Sequence, residues 1–141
     1  MSYRIEDLDV YRRCTAAAVK ICRLADEAAA KVSPALGNEL RRRGLNMAAN
    51  LADGLGFWDR EEKARHFTGA KKAVLEALAL LEVTAALGLA DTGVQGDLAV
   101  DLRDLAKMTA GLLRGAQRRE RQTGEEREKA RAVQEQTRIY H

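Results

Sequence analysis

Two histidines and a few carboxylates are the side chains of this sequence that could serve as general acid, general base or metal ligand. His66 follows Glu62 by one helical turn, a spacing at which a carboxylate can orient an imidazole. Neither His66 nor His141 stands at ligand spacing from a cysteine or from the other histidine. The glycines of residues 53–56, Asp-Gly-Leu-Gly, lack the Lys-Ser/Thr of a phosphate-binding loop. The sequence therefore predicts a protein that is not an enzyme and that holds no metal or cofactor.

Basic side chains are the better functional lead. They are grouped near the start of the second predicted helix, in the third, and at the end of the fourth. The candidate nucleic-acid-binding residues are Arg41, Arg42, Arg43, Lys71, Lys72, Arg114, Arg118, Arg119 and Arg121. A run of like charges is usually a solvated helix face, and the last three of these arginines also suit the negative end of a helix dipole. Exchange of the three consecutive arginines for glutamate is expected to weaken binding without unfolding the protein.

The overall charge is modest for a protein that binds nucleic acid. The formal net charge is +3 and the pI is near 9.0. Oligomerisation would change this estimate, because a ring repeats each basic patch and adds the phosphate contacts of all its subunits.

A polar stripe, Asn46, Asn50 and Asp53, runs along the second helix at spacings of four and three residues. Two interpretations are open. These side chains cap the helix end and bond the backbone of the neighbouring loop, or they hydrogen-bond across a subunit interface and fix its register. Trp58 likewise covers the end of the fold or anchors an interface.

Helices must position these side chains. At 141 residues the chain has room for one domain, and its composition of 46% hydrophobic but 4% aromatic residues predicts a core of Ala and Leu. Such a core favours helices over sheets. The face of the second helix that is expected to be buried carries Leu40, Gly44, Met47, Leu51 and Leu55.

Start and stop signals divide the chain into four helices of similar length. Helix one is expected from Glu6 to about Lys31. Helix two starts with a Ser33 cap and Pro34, and ends where Gly54 and Gly56 adopt left-handed dihedrals. The remaining boundaries are an Asp59 cap with Glu62 for helix three, a Gly88 stop, a loop at Asp91, Thr92, Gly93 and Gly96, and a fourth helix from Val94 or Asp97 to Gln117 or beyond.

The fourth helix has apolar residues near the heptad spacing, at Leu98, Leu102, Leu105, Thr109, Leu112 and Ala116. Short connections then predict an all-α fold, an antiparallel up-down-up-down four-helix bundle over residues 1–120. Residues 121–141 form a charged C-terminal tail that Gly124 interrupts. We expect the tail to be partly disordered or to extend the helix into solvent.

Cys14 and Cys22 lie eight residues apart on helix one, about 12 Å along its axis, which is too far for a disulfide. The sequence shows no signal peptide and no long apolar run. We therefore expect a cytoplasmic protein without a membrane contact.

Four motifs in order resemble one bacterial family. Residues 40–57, LRRRGLNMAANLADGLGF, fit its pattern of a leucine, arginines, small residues, an Asn and Ala-Glu-Gly-Gly, with Asp53 in place of the Glu. Residues 5–11 are similar to its aromatic-x-x-leucine-x-valine-tyrosine opening, with Ile5 in place of the aromatic. Residues 70–76 stand where it has Ala-basic-Gly-Ser-x-x-Glu, although Lys72 and Ala73 depart from Gly-Ser. Residues 87–89 resemble its Leu-Gly-Tyr.

That family of four-helix bundles comprises the proteins encoded in 23S rRNA intervening sequences and the accessory variability determinant proteins of diversity-generating retroelements. The resemblance implies a homopentameric barrel. For the retroelement branch it implies a basic surface that binds RNA or DNA and the reverse transcriptase; the other branch has no settled activity. The expected function is a nucleic-acid-binding accessory protein. The alternative is a protein-interaction or structural bundle of the intervening-sequence type, whose charges keep it soluble without strong nucleic-acid binding.

Overall fold

The fold is given by a computed structural model that describes residues 4–56, 59–89 and 92–139, with the side chains at 92, 119–123 and 139 left out. A short 3-10 helix, Ile5–Asp7, precedes four α-helices. They are α1 (Asp9–Lys31), α2 (Pro34–Gly56), α3 (Arg60–Ala86) and α4 (Thr92–Ile139). The described residues contain no strand, so the predicted all-α class is confirmed.

Local capping interactions set three of the helix boundaries where the sequence predicts them. The Ser33 hydroxyl accepts a hydrogen bond from the Leu36 amide at 3.3 Å, and the Asp59 carboxylate accepts one from the Glu61 amide at 3.0 Å. Gly88 has a φ of 74°, and the amide of Leu89 donates to the Thr84 carbonyl at 3.0 Å. This pattern is the Schellman motif, in which a left-handed glycine ends the helix.

Two other boundary predictions are wrong, and a third is right in place but not in mechanism. Leu8 is extended, so α1 begins at Asp9 rather than Glu6. α2 ends at Gly56 as predicted, but neither Gly54 nor Gly56 has the left-handed φ that was expected to stop the helix. Gly93 and Gly96 lie within α4 rather than in a loop, while Asp91 lies outside the described residues.

The fourth helix is also much longer than the others. It has 48 residues, against 23, 23 and 27, and it passes through Gly124 without a break. Of the two expectations for the tail, the described residues fit the helical extension. A single exposed glycine costs a helix only about 1 kcal/mol relative to alanine, and the Glu, Arg, Lys, Gln and Ala around it are good helix formers.

Consecutive helices pack against each other, and α4 returns to contact α1, as in a helical bundle. Helices α1 and α2 run in opposite directions, as two close approaches between them show. A Cβ built on Gly37 would lie 2.6 Å from the Ala29 Cβ, and one built on Gly44 would lie 3.1 Å from Ile21. The predicted face of α2 is buried, and Leu98, Leu102, Leu105 and Thr109 of α4 are buried with it. In the part of the chain described, no helix is long and apolar enough to cross a membrane.

Candidate nucleic-acid interface

The three consecutive arginines of α2 do not share one environment. Arg41 pairs with Asp26 of α1. Arg43 pairs with Glu39 one turn earlier, and its Nε lies 2.9 Å from an oxygen of Glu76 on α3. Arg42 is exposed, and the described residues give it no ion pair.

Arg41 and Arg43 therefore form ion pairs that connect α2 to α1 and α3. Exchange of all three for glutamate would set like charges against Asp26, Glu39 and Glu76. A loss of stability would then accompany any loss of nucleic-acid binding, contrary to the expectation from the sequence.

A row of four cations follows the outer face of α4. Arg103, Lys107, Arg114 and Arg118 are exposed, at spacings of four, seven and four residues that place them on the side away from the buried leucines. None of them pairs with a carboxylate among the described residues. The sequence prediction included the last two. It missed Arg103 and Lys107, although both follow the same spacing.

Two acidic residues of α4 close to this row in sequence face α1 instead. Asp104 accepts a hydrogen bond from Arg13 at 2.8 Å, and Asp101 lies 3.1 Å from the Lys20 amine, so both carboxylates are turned towards α1. The hydrogen bond to Asp104 raises the pKa of the Arg13 guanidinium above its usual value.

Two lysines of α3 extend the row. A shallow groove of about 270 Å³ between α3 and α4 is lined by Leu78 and Glu82 on one side and by Ala99 and Arg103 on the other. Lys71 lies seven residues before Leu78, on the same side of α3, and Lys72 beside it is exposed. Lys71 therefore lies on the groove side of α3. The basic α3–α4 surface consists of Lys71, Lys72, Arg103, Lys107, Arg114 and Arg118.

Three predicted site residues lie outside this description. Arg119 and Arg121 belong to α4, but the structure does not describe their side chains. Trp58 lies outside the described residues, so both interpretations of this residue stay predictions.

The polar stripe of α2 meets α3. The Asn50 side-chain amide donates to the Asn46 carbonyl at 3.0 Å, and its oxygen lies 3.4 Å from the His66 Nδ1. Asp53 lies 3.8 Å from the same ring nitrogen, while Glu62 lies 3.8 Å from Nε2. With its side chain 18% exposed, His66 is held between two helices rather than solvated on one. The contact partner of Asn50 and Asp53 is thus α3 of the same chain.

The cluster around His66 connects α2 to α3 through polar contacts. Asp53 and Glu62 approach different nitrogens of the ring, so they do not converge with it on one point. In the described part of the chain, no group of three His, Cys, Asp or Glu side chains could hold a metal ion.

The cysteines are free thiols. Cys14 is buried and Cys22 is half-buried. Burial raises the pKa of Cys14 to about 11, so this thiol stays protonated at neutral pH and is a poor nucleophile.

Four of the exposed apolar side chains lie on opposite sides of the fold. Val19 of α1 and Leu45 of α2 are 49% and 56% exposed, near the point where Ile21 meets Gly44. Leu75 of α3 and Val100 of α4 are 47% and 53% exposed, beside the basic α3–α4 surface. Since α2 contacts α3 and α1 contacts α4, the α1–α2 and α3–α4 sides face away from each other.

No protein-family model matches this chain, and no curated protein sequence matches it either.

Proposed function

We propose that this protein is a cytoplasmic, non-enzymatic accessory protein that binds RNA or DNA through the basic α3–α4 surface. The observation that supports this most directly is the row of exposed cations on α4, Arg103 to Arg118. None of them forms an ion pair with a described carboxylate, although Glu82 lines the groove opposite Arg103, so the charge of Lys107, Arg114 and Arg118 is available to an external polyanion.

The row suits a phosphate backbone better than a base edge. From Arg103 to Arg118 it spans about 22 Å along the helix axis. Its side chains are long and charged, which favours phosphate contacts that position a nucleic acid without reading its sequence. Binding of this kind depends steeply on salt, because each neutralised phosphate releases counterions.

The proposed assembly is a homopentamer of up-down-up-down bundles. Opposite running directions support that topology, at the α1–α2 contact and between α1 and α4, where Arg13 pairs with Asp104 and Lys20 with Asp101. Exposed apolar side chains on opposite sides, Val19 and Leu45 on one and Leu75 and Val100 on the other, support a head-to-tail contact between copies, which can close into a ring. The number five, and a reverse transcriptase as protein partner, come from the family resemblance alone.

The alternative is a protein-interaction or structural bundle that does not bind nucleic acid strongly. The ion pairs between helices favour it. Four basic side chains are already paired with carboxylates of neighbouring helices, namely Arg13, Lys20, Arg41 and Arg43. The same head-to-tail ring would form in this case.

Binding of labelled structured RNA and of duplex DNA across a salt series separates the two. For the accessory role, log affinity falls steeply with log salt, at a slope of about 0.7 to 0.9 per phosphate contact. Lys107→Gln with Arg114→Gln lowers that slope by about 2. The matched control, Arg12→Gln with Arg23→Gln, removes two exposed charges from α1 and leaves the slope nearly unchanged. Weak binding by the unaltered protein, or equal losses in both variants, contradicts the proposal.

A further inference from the structure

The C-terminal part of α4 projects beyond the bundle. Ala116 is the last buried residue among the described side chains of this helix, and every one from Gly124 to Arg138 is exposed. At about 1.5 Å per residue the projection is about 34 Å long. Residues 124–138 form the α4 arm.

The charges of the arm are segregated. It carries four basic and four acidic residues, so its net charge is zero. Arg127, Arg131 and Arg138, with Gln134 between them, are spaced by four, three and four residues and therefore share one face. Glu128 and Glu135 flank this face at three or four residues from Arg131 and Arg138, while Glu125 and Glu126 lie on the remaining faces. This arginine stripe makes one side of a neutral helix strongly positive.

The stripe has no counter-charge in the described part of the chain. None of its arginines forms an ion pair there, although Glu128 and Glu135 stand three residues before Arg131 and Arg138. Arg127 and Arg131 are a like-charge pair one turn apart, which destabilises an isolated helix. Arg127 also lies about 16 Å beyond Ala116, farther than the Debye length of about 8 Å, so the carboxylates of the bundle end are screened from it.

A second helix is not a fitting partner for the arm. The heptad spacing of α4 continues past Ala116 as residues 123, 130 and 137, which are Thr, Ala and Thr. The alternate positions are Arg119, Glu126 and Val133. One valine among small and charged residues does not make the apolar seam that a coiled coil needs.

We propose that the α4 arm is a second nucleic-acid contact, in which Arg127, Arg131 and Arg138 bind the phosphate backbone. The inference rests on the proposed function and adds a site separate from the basic α3–α4 surface. Guanidinium groups suit this role because each can donate two hydrogen bonds to one phosphate. The stripe turns towards the side of α4 that is buried in the bundle. The basic α3–α4 surface lies on its other side, so the two sites contribute independently.

Three variants test the arm in the full-length protein. The first replaces Arg127, Arg131 and Arg138 with Gln. The matched control, Arg12→Gln, Arg23→Gln and Lys129→Gln, removes the same charge from α1 and from the opposite face of the arm. The third moves two arginines to other faces of the arm, with Arg127→Glu, Arg131→Glu, Glu125→Arg and Glu126→Arg, and keeps the net charge constant.

The expected result is a salt slope for duplex DNA and structured RNA that is lower by about 3 in the first variant and by about 2 in the third. The control retains the slope of the unaltered protein. When the first variant is combined with Lys107→Gln and Arg114→Gln, the salt slope falls by the sum of the two separate decreases, because the sites are separate.

Equal slopes in the first variant and the control overturn the arm contact, as does an unchanged slope in the charge-exchange variant. If the unaltered protein binds tightly in that case, the proposed function stands and only the arm contact fails. If the unaltered protein does not bind, both fail. A smaller assembly in the first variant, measured by sedimentation, assigns the arm to contacts between copies and also overturns the inference.

Discussion

Successive residues on a helix point about 100° apart, and the three arginines at the start of α2 show what this does to function. Arg41 faces α1, Arg43 faces α3, and Arg42 faces solvent. Lys63 is a similar case, since its amine donates to the Gly54 carbonyl at 2.8 Å and lies 5.9 Å from the centre of the Phe67 ring. At this scale, a basic residue is a candidate for binding only where its own fold leaves the charge unused.

Arg43→Glu is expected to lower the free energy of unfolding by about 1 to 3 kcal/mol, because it sets a third carboxylate against Glu39 and Glu76. Arg42→Glu makes the same chemical change at the neighbouring exposed position, and we expect an effect within about 0.5 kcal/mol. Urea unfolding followed by circular dichroism measures both. Equal effects in the two variants would show that the Arg43 ion pairs contribute nothing to stability.

At the scale of the elements, α2 and α3 meet through a contact that leaves no room for a side chain. A Cβ built on Gly54 would lie 2.5 Å and 2.6 Å from two atoms of the buried Phe67 ring. Next to it, Lys63 caps the end of α2, and His66 contacts Asn50 and Asp53. The glycine that the sequence suggests as a helix stop is therefore a point of close packing between two helices.

We expect Gly54→Ala to destabilise the fold by about 1 to 3 kcal/mol, since the methyl group overpacks a rigid ring. Gly56→Ala is the control, because nothing lies within 4 Å of its added Cβ, and there the stability should stay the same or rise slightly. Thermal and urea unfolding of the two variants gives the comparison. A Gly54→Ala protein as stable as the original would mean that α3 does not approach α2 this closely.

At the scale of the whole molecule, exposed apolar side chains and unneutralised cations occur together. Leu75 and Val100 border the basic α3–α4 surface, while Val19 and Leu45 lie on the opposite side. A head-to-tail ring would cover both apolar pairs and repeat the basic surface once per subunit. The modest charge of one chain would then be multiplied along the circumference.

In the proposed ring, Leu45→Asp and Val100→Asp each break the assembly, because every subunit uses both sides. Val133→Asp, on the arm, is the control and leaves the assembly intact. Sedimentation velocity gives the mass, and we expect the unaltered protein to sediment as five chains of 15.5 kDa. A two-fold dimer would respond to only one of the two substitutions, and a monomer would contradict the pentamer outright.

The helical class, the caps at Ser33, Asp59 and Gly88, and the buried faces of α2 and α4 follow from the sequence alone. These features depend on residues within one or two turns of each other, so periodicity and capping chemistry reveal them. Helical spacing also predicts the row of Arg103, Lys107, Arg114 and Arg118 on α4. The sequence does not show that the nearby Asp101 and Asp104 form ion pairs with α1 instead of with this row.

Which charged side chains form ion pairs between helices depends on how the helices pack against one another. The partners Asp26 and Arg41, Arg43 and Glu76, and Asn50 and His66 lie on different helices, 15, 33 and 16 residues apart in sequence. Their contacts depend on the register and rotation of one helix against its neighbour. Periodicity gives the buried face of each helix but not that register, because many rotations bury similar apolar area while pairing different side chains.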